Sequence, residues 1–182
     1  LLTAAYQARI MSNQLALRDA YRKENTNDKK NVDVEKVHQA YKLAKTVAFA
    51  QGFNLYRDAS NKYNWNLNLK QIAAIFRAGC IIQAKLLQDI MHAYDDGADD
   101  LLLYPVFKNE VLENTSALKE IVVQSIDLPL PVFTAALTYI NQLSSTCLGA
   151  NIIQGQRDFF GAHTYQRVDR EGFEHHQWGS HE

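Results

Sequence analysis

The chain reads as all-α, and three observations carry that reading. Among 182 residues there are only 8 glycines and 3 prolines, so the strongest breakers of regular structure are scarce. Apolar residues recur over long stretches at helical rather than alternating spacing. Where that rhythm fails, the sequence holds polar runs or punctuating residues, as in "KENTNDKKN", "DDGADD" and "DLPLP".

The rhythm starts at once. Leu2, Ala5, Tyr6, Ile10, Leu15 and Leu17 predict a first helix over about residues 3–23. Because the pattern is already running at Leu1 with no initiating Met, the sequence is expected to be a fragment of a longer one. Asp33 can cap a long second helix toward Tyr63, with Val34, Val37, Tyr41, Ala44, Ala48, Leu55 and Tyr56 as its apolar stripe. Asn68 followed by Gln71 resembles a capping box and opens a third helix through about Tyr94. Ala78, Gly79 and Cys80 fall in its middle, where a glycine costs about 1 kcal/mol relative to alanine, so close helix contact is expected there. A fourth helix over about residues 109–126 stops at Pro129 and Pro131, which remove donors. A fifth runs from about Val132 to Ser145, and the last from near Ala150 to Gly161. Beyond Tyr165 the sequence is charged and aperiodic, with Phe173 and Trp178 as its large apolar anchors. The expected organisation is one helical domain, residues 1–165, and an irregular tail, residues 166–182.

Composition removes several classes of function. Lys plus Arg number 19 against 20 Asp plus Glu, so there is no basic surplus for nucleic acid or an anionic membrane surface, and any anion site must be local. No apolar run approaches the ~18 residues that cross a bilayer. Cys80 and Cys147 form no CxxC or even framework, which suits a reducing cytoplasm. No Gly-x-Gly and no Walker-type loop is present, so a nucleotide cradle is not expected in this sequence. Glu35 with His38, and Asp89 with His92, have the i, i+3 spacing of dimetal helical bundles, but lack a second Glu-x-x-His and sit on faces expected to be solvated. His175, His176 and His181 could bind a metal weakly, though with no cysteine partner they read as part of a polar tail.

One stretch stands apart, "NIIQGQRDFFGAHTYQR" at residues 151–167. At about 100° per residue Ile152, Ile153, Phe159 and Phe160 share one helix face, while Gln154 and Asp158 point away from it. Arg157 lies about 40° beyond Ile153, where its stem can follow apolar surface and its guanidinium reach a cleft edge. In an unbroken helix His163 would sit about 120° around from Arg157 and about 9 Å further along, so the two would not converge. Gly161 offers a left-handed turn that would end the helix and let His163 fold back. From spacing alone the favoured reading is Arg157 in a surface ion pair and His163 capping a carbonyl, since border charges are usually solvated or weakly paired.

"IIQGQRDFFGAHTYQRVDREG" closely resembles the signature near the C-terminus of the decarboxylating 6-phosphogluconate dehydrogenases, Q-A-Q-R-D-Y-F-G-A-H-T-Y-E-R. "AFAQGFNLYRDASNKYNWNLNLKQIAAIFRAGCII" is similar to the family stretch Y-A-Q-G-F-x-L-x-R…W-x-L-x-L-x-x-I-A-x-x-W-R-G-G-C-I-I, and "LPLPVFTAAL" to I-P-x-P-x-F-x-x-A-L. The likeness runs from about residue 8 to Trp178. It departs at Phe76 for Trp, Ala78 for Gly, Gln83 for Arg, Gly155 for Ala and Phe159 for Tyr.

The resemblance implies an all-helical C-terminal domain whose tail reaches into the partner of a homodimer, without the NADP-binding Rossmann domain that precedes it in the family. It implies oxidation of 6-phosphogluconate with reduction of NADP, loss of carbon dioxide and release of ribulose 5-phosphate, with no metal. The catalytic lysine and glutamate would lie upstream of Leu1, leaving the isolated fragment inactive. This sequence would contribute substrate grip: Arg157 on the phosphate and His163 beside it, both entering the other subunit's site. Arg18, nine residues after Arg9 as in the family's A-R-x-x-S-S-L-K-x-x-R, would be a further phosphate ligand, although "IMSNQLAL" lacks the Lys-Asp segment. The competing class is a helical dimerisation domain that has lost the chemistry, and a Rossmann domain in the complete gene product separates the two.

Overall fold

A computed structural model of the chain describes residues 1–22, 32–77, 81–82 and 84–179. Among them eight α-helices and one short 3-10 helix make up the molecule apart from two two-residue strands, as the all-α expectation requires. The chain divides into two compact units, Leu1–Ile140 and Asn141–Glu182.

The first expected helix is broken into α1 (Leu2–Ser12) and α2 (Leu15–Ala20). Ser12 Oγ donates back to the Arg9 carbonyl at 2.6 Å, and the amides of Asn13 and Gln14 bond three residues back to Ile10 and Met11, which tightens and ends the turn. Neither helix buries a residue, so no packing restores continuity; Leu2, Tyr6 and Leu15 of the expected stripe are exposed.

Helix α3 (Val34–Tyr63) starts where its cap predicts. Asp33 Oδ1 accepts from the Glu35 and Lys36 amides at 3.0 and 3.3 Å, a cap that stabilises a helix start by about 1 kcal/mol. Its core face is the expected one only in part, through Ala44, which is buried, and Val37, which packs against the same cluster. Ala40, Leu43, Ala44, Thr46, Val47, Ala50 and Phe53 are buried, whereas Val34, Tyr41 and Leu55 are exposed. The segment "YKLAKTVAFAQGF" is apolar on more than one side, so it offers two rows at helical spacing, and tertiary packing selects between them.

The chosen row is covered by α6 (Pro105–Gln124) and α7 (Pro131–Ser144). Leu43 and Val47 cluster with Leu118 and Ile121 of α6 and with Ala136 and Ile140 of α7. Further along α3, Ala50 and Phe53 join a second cluster with Ala73 of α4 (Leu69–Ile75), Leu87, Ile90 and Ala93 of α5 (Leu86–Asp95), and Phe107 of α6. Helix α3 is therefore the spine of both cores. Between α3 and α6 the buried Glu110 is satisfied by Thr46 Oγ1 at 2.6 Å and faces Lys42 Nζ at 3.4 Å.

The third expected helix is two. Asn68 caps α4 by accepting the Gln71 amide at 2.9 Å, as the capping signal predicts, but α4 ends at Ile75 and α5 begins at Leu86. Ala78, Gly79 and Cys80, with the close contact expected of them, lie outside the described residues, as do Gln83 and His181. Helix α6 begins at Pro105, earlier than expected, and α7 at Pro131. Proline at a helix start lacks only an amide that has no intrahelical partner there.

Candidate functional site around the end of the last helix

The second unit is built on α8 (Ala150–Gly161), whose bounds match the sequence expectation. Its amphipathicity is turned inside out. Ile152 and Phe160 are each 71% exposed, while Asp158, on the opposite face, is 0% exposed. A buried carboxylate needs donors, and these come from the residues that follow the helix.

Those residues are not an irregular tail throughout. Tyr165–Gln166 (β1) pairs antiparallel with Phe173–Glu174 (β2) in a small hairpin, with Gly172 at φ +106 on its turn. Arg167 bonds Asp169 at 2.7 Å and Arg170 bonds Glu174, and each arginine holds its partner carboxyl below the ordinary range. After the hairpin the chain returns to α8. Asp158 Oδ1 takes the Thr164 amide at 2.9 Å and pairs with His175 Nδ1 at 2.9 Å; Oδ2 accepts from the His176 amide and the Trp178 indole Nε1, both at 3.0 Å. The Trp178 ring also stands edge-on to Phe159, centroids 5.7 Å apart. Burial alone would raise the Asp158 pKa, but these hydrogen bonds outweigh it and hold the carboxyl well below the usual range. Deprotonated Asp158 therefore stabilises the unit fully above the ordinary carboxylate pKa, and the contribution is lost only as the pH falls through the depressed folded value.

The helix ends differently from the sequence expectation. The left-handed residues are Ala162 (φ 48) and Thr164 (φ 60), not Gly161. Gly161 leaves room of another kind. A Cβ there would lie 2.8 Å from Cδ2 and Nε2 of His163, whose ring folds back over the last turn. His163 is thus placed against the helix end as predicted, with its ring edge-on to Phe160 at 6.1 Å between centroids. Gly161→Ala is expected to displace that ring while leaving the unit at least as stable, because the clash is with the mobile end of one side chain and alanine is the better helix former by up to about 1 kcal/mol. A shifted His163 ring resonance with an unchanged melting temperature is the expected outcome. A lowered melting temperature with an unmoved ring would show that the backbone, not the ring, gives way.

Arg157 donates from Nη1 to Gln154 Oε1 at 3.4 Å, and the Gln154 amide donates in turn to the Thr164 carbonyl. Among the described residues Arg157 has no carboxylate partner, so the surface ion pair that spacing allowed is not formed there. Arg157 and His163 belong to this unit, and Arg18 to the other, where its Nη1 bonds the Ser12 carbonyl at 3.2 Å from the exposed helix α2. Sequence reasoning missed Gln154 and Asp158 as supports of the site. Both stand on the face assigned to solvent, and the one available signal was the cluster of donors in "HHQW".

The other titratable pairs take no part in this arrangement. Glu35 and His38 are exposed on α3, and His92 Nε2 lies 2.9 Å from the Gln88 amide on α5. Among the described residues no three His, Cys, Asp or Glu side chains gather as a metal site, and no helix is long and apolar enough to cross a membrane.

Residues 1–178 match the family described as 6-phosphogluconate dehydrogenase, C-terminal domain. The chain belongs to the 6-phosphogluconate dehydrogenase family. It is 48% identical over 149 residues to the decarboxylating 6-phosphogluconate dehydrogenase of Salmonella typhimurium, covering 80% of this chain and 32% of that protein. With the Staphylococcus epidermidis enzyme of the same name it shares 48% identity over 155 residues, 83% of this chain and 33% of the relative. Among solved structures, the Plasmodium falciparum 6-phosphogluconate dehydrogenase, determined apo and with NADP+ and 6-phosphogluconate, superposes with a TM-score of 0.81 at 33% identity. That match covers 93% of this chain and 38% of the other. This member of the 6-phosphogluconate dehydrogenase family thus spans about a third of the length of the relatives it matches.

Proposed function

We propose that this chain is the substrate-gripping and dimerisation segment of an enzyme that oxidatively decarboxylates 6-phosphogluconate to ribulose 5-phosphate with reduction of NADP. The observation that carries this reading is the end of α8: a guanidinium with no carboxylate partner among the described residues, held by Gln154, and after the helix a histidine folded back over its last turn. A guanidinium takes phosphate oxygens bidentately and keeps its charge at any working pH. Arg157 is the phosphate ligand in this reading, His163 a second substrate contact, and Arg18 a further phosphate ligand.

NADP is bound mainly outside this chain in this reading, which is supported by a sequence without a Gly-x-Gly loop to admit a pyrophosphate and by the first amides of α3 and α4 being taken by Asp33 and Asn68. The cofactor is assigned to a Rossmann domain elsewhere in the full-length protein, with residues 1–165 as helical body and residues 166–182 as tail. A homodimer is supported by the exposed apolar face of α8, Ile152, Ile153 and Phe160, with Phe173 on the hairpin. The protein is assigned to the cytoplasm, where its substrates would be. The full-length protein should form NADPH and release carbon dioxide from 6-phosphogluconate; absence of both with pure, dimeric protein would leave only a dimerisation module.

A further inference from the structure

We propose that Asp158 is a positioning residue that sets the substrate-contacting geometry of Arg157 and His163 by clasping the C-terminal segment to the end of α8. The inference rests on the reading above and goes beyond it, because Asp158 is wholly buried and has no exposed surface to offer a substrate.

His163 lies between Ala162 and Thr164, both in the left-handed region at φ 48 and 60. Residues other than glycine adopt that conformation at a cost, and hold it only when surrounding interactions over-determine it. Asp158 supplies them on both sides of His163. Its carbonyl accepts the Ala162 amide at 2.9 Å, and its carboxylate accepts the Thr164 amide at 2.9 Å. Thr164 is bonded again through its carbonyl, by the same Gln154 whose oxygen receives Arg157. One turn thus links the two substrate-facing side chains.

The carboxylate has further lone pairs, and the chain fills them from well beyond the turn. His175 Nδ1, the His176 amide and the Trp178 indole all converge on Asp158 at 2.9 to 3.0 Å. A carboxylate in that setting must be met by donors on every side, since an unsatisfied buried oxygen is costly. Docking of residues 175–178 and the geometry of the His163 turn are therefore coupled through one side chain. The arrangement keeps the segment through Trp178 together with α8, so the two move as one piece.

Asp158→Asn in the full-length enzyme sets an amide NH2 against a donor whichever way the amide is turned, the Thr164 N–H on one side or the His176 N–H and Trp178 indole on the other. It should raise KM for 6-phosphogluconate about tenfold, with KM for NADP within about twofold of wild type and the dimer intact. Trp178→Phe keeps an aromatic ring against Phe159 but deletes one donor, and should raise the same KM about fivefold. In the Asp158→Asn background the Trp178→Phe effect should vanish, because both act through one group; loss of general packing would instead multiply. Multiplying effects overturn the proposal. So does a wild-type KM in Asp158→Asn beside a raised KM in Arg157→Ala. A wild-type KM in both overturns the functional reading and the positioning role with it. Should Asp158→Asn fail to assemble, Trp178→Phe alone decides: a raised 6-phosphogluconate KM with unchanged NADP KM supports the proposal, and wild-type values overturn it.

Discussion

Arg157→Ala in the full-length enzyme should lower kcat/KM for 6-phosphogluconate by about ten- to a hundredfold, the loss of about 1.5 to 3 kcal/mol that one charge-assisted hydrogen-bonded contact contributes. The structure makes the substitution clean. Arg157 has one long hydrogen bond, to Gln154 at 3.4 Å, and no carboxylate partner among the described residues, so its removal strands no buried charge. Stability should therefore stay close to wild type, as it does for most surface substitutions. Arg157→Lys is the informative companion, because an ammonium keeps the charge but loses the planar fork that matches a phosphate, and it should recover only part of the activity. Steady-state kinetics with varied 6-phosphogluconate at saturating NADP reads both variants. If Arg157→Ala stays within about twofold of wild type, the phosphate assignment fails.

The sequence was most legible where a single local interaction decides the structure. Asp33 and Asn68 each accept amides at a helix start, and α3 and α4 begin where those caps place them. Helix α8 has the bounds its residues predict. Legibility failed where the outcome depends on distant packing. Helix α3 carries two apolar rows, and nothing local says that Leu43 and Val47 rather than Tyr41 and Leu55 will meet α6. The break between α1 and α2 turns on one serine bonding backward, and no buried contact opposes it. At the candidate site the pair Arg157 and His163 could be picked out by motif, but Asp158 could not. A helix wheel assigns it to solvent, and only the returning chain, with His175 and Trp178, converts that solvent face into an interior. Gly161 shows the same limit in miniature: the left-handed turn expected of it falls on Ala162, and the glycine instead makes room for the His163 ring.

If Arg157 and His163 complete the site of the other subunit, two impaired mutants should rescue each other. One carries Arg157→Ala; the other carries a substitution of the catalytic lysine that family resemblance places in the sequence before Leu1. In a mixed dimer one site takes its lysine from the arginine mutant and its Arg157 from the lysine mutant, and that site is intact. The second site lacks both groups. With random reassortment about half the dimers are mixed, each with one good site of two, so activity should recover to about a quarter of wild type. The test dissociates and reassociates the purified mutants together, confirms mixed dimers by mass spectrometry, and follows NADPH formation from 6-phosphogluconate. Recovery beyond the sum of the parents requires the two groups to come from different chains, because a site built from one chain would stay broken in every combination. Mixed dimers with no more than parental activity would place Arg157 in the site of its own subunit, or outside it altogether.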